Sequence, residues 1–243
     1  MLAVTGLSQA IYYIGLAGAY RHGDLSVAYP LVRALPVLFI TLLSILLSLG
    51  EPLTLGGLTG ISIVASGCLL LPLAHFRRMQ RADYLNPAFA LALLAALGTT
   101  GYTLIDSEAL RLVRALPMTN LPGWLPASAA APLFFIALET LATGFFLSLY
   151  VGFTSHERRA LEVTWREDKS YAALAGLIIT GTYTLVLAAM AFVSNVSYLA
   201  AFRQLSIPIG AWLGFMIQKE PATGPRLAGV GMVLIGLVLV SLA

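Results

Sequence analysis

Hydrophobic residues along this chain fall into long continuous runs bounded by charge, Pro or Gly, at positions 2–19, 26–48, 54–73, 87–105, 131–153, 171–193, 197–217 and 226–242. A helix needs about 20 apolar residues to cross the hydrocarbon of a bilayer, and the runs are close to that length. A strand of a membrane barrel would alternate apolar and polar positions. These runs do not alternate and are rich in Leu and Ala, so the pattern predicts helices. The expected fold is an all-α polytopic membrane protein of about eight transmembrane helices. The first charge is Arg21, so the first run lacks the basic leader of a cleaved signal peptide and reads as a retained span. Most connections are a few residues long, while 106–130 and 154–170 are longer and polar. The stretch from Thr154 to Ser170 reads as a solvated connector or an interfacial helix.

Composition removes the soluble alternatives. Of 243 residues 59% are hydrophobic and 10% charged, where a soluble domain carries roughly 25% charged residues. Eight spans leave only connectors, with no length for an extramembrane domain. The net charge of +3 comes from basic residues in short loops beside the spans, where cytoplasmic placement accounts for them better than a nucleic-acid partner. Cys68 is the lone cysteine, in an apolar run, and His22, His75 and His156 are too scattered to suggest a metal site. No cofactor is expected.

An internal repeat changes the picture. Gly6, Tyr13, Ala19, Arg33 and Leu35 recur 170 residues on as Gly176, Tyr183, Ala189, Arg203 and Leu205. Glu51, Pro52, Leu58, Gly60 and Gly67 recur 169 residues on as Glu220, Pro221, Leu227, Gly229 and Gly236. The first three spans thus match the last three. Matched spans are five steps apart, and an odd offset reverses direction across the membrane, so the copies are expected to be inverted, as in secondary transporters. The resulting organisation is three plus five helices: a partial first repeat over 1–74, a linker loop over 75–86 and a complete second repeat over 87–243.

The segment from Tyr20 to Pro30, the run Arg33 to Pro36, and Gly50 to Thr54 followed by Gly60 and Gly67 resemble the last three helices of an EamA-type repeat of the drug/metabolite transporter superfamily. The run Gly101 to Asp106 resembles the end of the first helix of a further repeat, with Lys219, Glu220 and Pro221 at its last hairpin. The resemblance covers nearly the whole chain. It implies ten helices as five plus five, so a chain of three plus five lacks the first two. It also implies both termini inside. The positive-inside rule points the other way: Arg21, Arg77, Arg78, Arg81, Arg158, Arg159, Arg166, Lys169, Lys219 and Arg226 share one side and only Arg111 and Arg114 the other, which places both termini outside.

An ionisable side chain well inside a span is costly and marks function. Arg33 and Arg203 occupy matching depths in the second and seventh spans, and Glu139 lies near the middle of the fifth. Each arginine is a candidate to bind an anionic group or to pair with Glu139, the alternative being snorkelling to the interface or a structural ion pair; the desolvated Glu139 is a candidate proton carrier, the alternative being a hydrogen-bonded packing residue. Tyr12, Tyr13, Tyr29, Tyr102, Tyr183 and Tyr198 lie within or near the ends of spans, where a ring and a hydroxyl suit an amphipathic solute. Among them Tyr13, Tyr102 and Tyr183 are the pathway candidates, and Tyr29 and Tyr198 are assigned to an interfacial belt. Pro30, Pro36 and Pro208 are candidates for kinks that gate. The pairs Gly56/Gly60 and Gly210/Gly214 suit close helix packing.

The expected function is a secondary transporter moving a small metabolite or drug-like solute by alternating access between two inverted halves, in the bacterial inner (plasma) membrane. Its partners would be the small-molecule substrate and lipid, with a possible homodimer. No G-x-x-x-x-G-K-[ST] motif occurs, so coupling would be to protons or to the solute gradient. No G-x-S-x-G, H-E-x-x-H or paired intramembrane Asp/His set is read from the sequence, so an enzyme is not expected. The alternative is a truncated, non-transporting remnant or an accessory membrane subunit.

Overall fold

A computed structural model describes residues 1–22, 25–70, 87–115, 126–217 and 223–243, and among them every regular element is helical. The helices are α1 (Leu2–His22), α2 (Leu25–Leu46), α3 (Leu55–Leu70), α4 (Pro87–Arg114), α5 (Ala127–Phe153), α6 (Ser155–Glu167), α7 (Lys169–Ala189), α8 (Val196–Phe202), α9 (Ser206–Ile217) and α10 (Gly224–Ser241), with a 3₁₀ turn over Arg203–Leu205 between α8 and α9. Helices satisfy their own backbone groups, which is what an apolar chain in lipid requires.

Five of the described helices are long and apolar enough to cross a membrane: α1, α4, most of α5, α7 and α10. α3 and the stretch Val32–Leu46 of α2 are apolar but shorter. The expected seventh span, 197–217, is broken into α8, the 3₁₀ turn and α9. Pro208 explains the place of the break, because its ring lacks an N–H and crowds the carbonyl four residues back, that of Gln204. By contrast α2 runs unbroken through Pro30 and Pro36. The polar 154–170 connector holds α6, a helix with no buried residue. The expected linker over 75–86 and the expected hairpin at Lys219, Glu220 and Pro221 lie outside the described residues.

One expectation fails in a way that matters. The fourth span was expected to stop at 105, with 106–130 as loop, yet α4 continues to Arg114. Apolar residues go on past Asp106 at Ala109, Leu110, Leu112 and Val113, and the helical spacing outlasts the first charges. Asp106 therefore lies inside the helix and is fully buried.

The chain forms two compact units that cut across the sequence repeats. The first comprises Met1–Ala10 and Ile105–Phe192, and the second Ile11–Leu104 and Val193–Ala243.

In the second unit, α3 and α10 pack antiparallel through glycines. A Cβ placed on Gly60 would lie 2.8 Å from the Gly236 carbonyl oxygen, and one on Gly67 2.8 Å from that of Gly229. The pairing is reciprocal with respect to the 169-residue offset: Gly60 meets the counterpart of Gly67, and Gly67 meets the counterpart of Gly60. Val64, Val233, Leu237, Val240 and Cys68 fill the core around this crossing. Of the expected small-residue pairs only Gly60 makes such an approach among the described residues; a Cβ on Gly56 would meet only the Thr54 hydroxyl, at 3.9 Å, Gly210 faces open space, and the surroundings of Gly214 lie outside the description.

The turn between α2 and α3 is fixed to the start of α8. Asn195 caps α8 by accepting from the Ser197 N–H at 2.9 Å, and its amide donates to the carbonyls of Leu49 (3.0 Å) and Glu51 (2.9 Å). Gly50 has φ +72°, and a Cβ there would stand 2.7 Å from the Ser194 carbonyl oxygen, so both conformation and space demand glycine. Tyr198 accepts from the Thr54 N–H at 3.2 Å and lays its ring on Gly57.

Candidate functional site

The sequence candidates gather in two groups, one in each unit. In the first unit four helices contribute polar side chains to an apolar surrounding. Thr5 and Gln9 come from α1, one turn apart; Asp106 comes from α4; Glu139 and Thr143, again one turn apart, come from α5; and Tyr183 comes from α7. All are buried, and Thr5, Asp106 and Glu139 completely so. Gly6 makes the assembly possible: a Cβ there would lie 2.6 Å from the Ala142 Cβ, so only a glycine lets α1 reach α5 at this level.

Asp106 is held at both oxygens. The Thr5 hydroxyl donates to Oδ1, and the Tyr183 hydroxyl donates to Oδ2 at 2.5 Å. Thr143 donates to Gln9 Oε1 at 2.6 Å. The Glu139 carboxyl interacts electrostatically with Asp106, while among the described residues no donor reaches either of its buried oxygens. Arg114, at the end of α4, donates to the Leu187 carbonyl at 2.9 Å, near the C-terminus of α7, where a cation complements the helix dipole.

In the second unit the aromatic residues cluster with the arginines. Tyr12 lies 5.0 Å from Tyr13 and 5.8 Å from Tyr102 between ring centroids, the latter edge to face, a geometry favoured by the ring quadrupoles. Arg203, in the 3₁₀ turn, donates from Nη2 to the Tyr102 hydroxyl at 3.4 Å. Arg33 and Arg203 both act electrostatically on the Tyr12 hydroxyl. Both guanidinium groups are half-buried. The arrangement offers two positive charges and three rings in one place, which suits a solute with an anionic group and an apolar body.

Six pathway candidates were read from the sequence. Arg33, Arg203, Tyr13 and Tyr102 all act electrostatically on Tyr12, while Glu139 and Tyr183 both interact with Asp106. The electrostatic neighbour of Glu139 is thus another carboxyl, where an arginine was one expectation. Pro36 is buried within unbroken α2 and Pro208 follows the break; the side chain of Pro30 lies outside the description. Sequence reasoning missed Asp106, Thr5 and Gln9. The available signal was the four-residue spacing of Tyr102 and Asp106, and of Thr5, Gln9 and Tyr13, which places each set on one helix face.

No protein-family model matches this chain, and no curated protein matches it.

Proposed function

We propose that the protein is a secondary transporter of the drug/metabolite class, similar to EamA-type carriers, moving a small amphipathic solute with an anionic group by alternating access between inverted halves. The observation that carries this reading is that Arg203 donates to Tyr102, which packs edge to face on Tyr12, and that Arg33, its mate in the internal repeat, acts electrostatically on the same Tyr12. A guanidinium kept within an apolar helical protein is costly unless it serves a polar ligand or a water-filled path. Two further features support it. The glycine crossing of α3 and α10 has the reciprocity expected of helices related by a two-fold axis lying in the membrane plane. Arg203 also sits where its helix is broken, and discontinuous helices are where such transporters hold solutes. The protein acts as a carrier and not an enzyme, in a bacterial inner membrane, with all eight apolar segments crossing.

The test compares metabolites inside and outside cells that overproduce the protein, lack it, or carry Arg203→Gln. At least one anionic, partly apolar solute is expected to shift with the wild type and to return to the level of cells lacking the protein in the variant. If no solute differs between overproducing and lacking cells, the chain is the non-transporting alternative.

A further inference from the structure

Asp106 and Glu139 raise a question that the solute site leaves unanswered: what keeps two carboxyls, both fully buried, beside one another in an apolar helical unit. Two anions in contact at low dielectric repel strongly, and a buried charge persists only where it is paired or well solvated by donors. The two carboxyls differ in this respect. Asp106 is solvated as an anion, since each of its oxygens accepts from a hydroxyl, one from Thr5 and one from Tyr183. Glu139 has no such support. Among the described residues no hydroxyl or N–H donates to either of its oxygens, and its polar neighbour is the Asp106 carboxyl itself; the Thr143 hydroxyl, one turn along α5, is committed to Gln9, and the Arg114 guanidinium donates to a backbone carbonyl. From the helices packed around Glu139, α1 presents Thr5 and Gln9, which do not titrate; α4 presents Asp106; and α7 presents Tyr183.

We propose that Asp106 and Glu139 form a proton-binding site, in which Glu139 carries the exchangeable proton and Asp106, fixed by Thr5 and Tyr183, is its permanent anionic partner. With the proton on, Glu139 is neutral and presents an O–H toward the Asp106 carboxylate, so one negative charge, already held by two hydroxyls, remains in the cluster. With the proton off, two negative charges face each other and the cluster must open toward water. The gain and loss of one proton therefore changes which packing of α1, α4, α5 and α7 is stable. The site does not depend on the identity of any solute; if the protein transports, this is where a proton gradient acts.

The full-length protein in lipid nanodiscs, with no solute added, provides the test by pH-difference infrared spectroscopy. The wild type is expected to show the carbonyl stretch of an un-ionised carboxyl that titrates. Glu139→Gln should remove that band. Asp106→Asn should keep it and move its titration toward acid, because the neighbouring negative charge is gone. Replacing sodium with choline should change nothing. A wild type without the band, a band that survives Glu139→Gln, or a titration that depends on sodium overturns the proposal. A second measurement needs no variant: a hydrophobic carbodiimide reacts with an un-ionised buried carboxyl, so mass spectrometry should find Glu139 modified faster at acid than at alkaline pH. Equal modification at both, or none, overturns it equally. None of these readings involves transport, so failure of the proton site and failure of the carrier reading are separable.

Discussion

Arg203 shows how much a single position can concentrate. It stands 170 residues after Arg33, it lies in a 3₁₀ turn set by Pro208, and it reaches both Tyr102 and the field around Tyr12. Its bond to Tyr102 is long, at 3.4 Å, so Tyr102→Phe should cost no more than about 1 kcal/mol, a less than tenfold rise in the half-saturating solute concentration. Arg203→Gln removes the charge itself and should cost about 2–3 kcal/mol of solute binding, at least tenfold, read from the concentration dependence of uptake in proteoliposomes. Equal effects of the two substitutions would show that the charge is not what matters. Gly50 concentrates a different constraint. With φ +72° and a carbonyl 2.7 Å from any Cβ, Gly50→Ala should destabilise by about 1–3 kcal/mol, seen as a lower Tm in detergent.

Between helices, the currency is close approach. Hydrocarbon gives no hydrophobic drive for helix association, so small residues that let backbones touch decide the pairs. Gly236→Ala would set a Cβ 2.7 Å from the Gly60 carbonyl oxygen and should lower stability by about 1–3 kcal/mol. Gly176→Ala, on the open face of α7, has nothing within 4 Å and should be neutral or stabilise by up to about 1 kcal/mol through helix propensity. Thermal unfolding of the two variants side by side checks the contrast. Helix identity was legible from the apolar runs, and the Gly60 and Gly67 match to Gly229 and Gly236 was legible from the repeat. That these four glycines face one another was not, because a spacing of seven residues fixes a helix face but not the partner it meets. The end of α4 was misplaced for a related reason: Asp106, Glu108 and Arg111 look like a loop in sequence, and only burial separates the first of them from the half-buried Glu108 and the exposed Arg111.

At the scale of the molecule, eight crossings and five give different topologies. With eight, α2, α3 and the broken α8–α9 segment all cross, which puts Ser48 and Ser155 on opposite sides of the membrane. With only the five long helices crossing, the two positions share a side. In a Cys68→Ala background, Ser48→Cys and Ser155→Cys in intact cells should therefore react with an impermeant maleimide in opposite fashion, one labelled from outside and the other only after permeabilisation. Labelling of both from the same side would remove the eight-span arrangement and with it the inverted relation of the repeats.

The sequence by itself determined that this is an apolar helical chain with several helices long and apolar enough to cross a membrane, because the demand of lipid for self-satisfied backbone and apolar side chains is written directly into composition and run length. It also marked Arg33, Arg203 and Glu139, because a charge inside an apolar run stands out without any structure. Which groups those residues answer to was decided only by tertiary packing. Glu139 meets Asp106 across α5 and α4, and Tyr183 of α7 and Thr5 of α1 converge on the same carboxylate. Such contacts join positions as much as 101 residues apart, and they form because buried polar groups must find partners wherever the packing of helices brings them together.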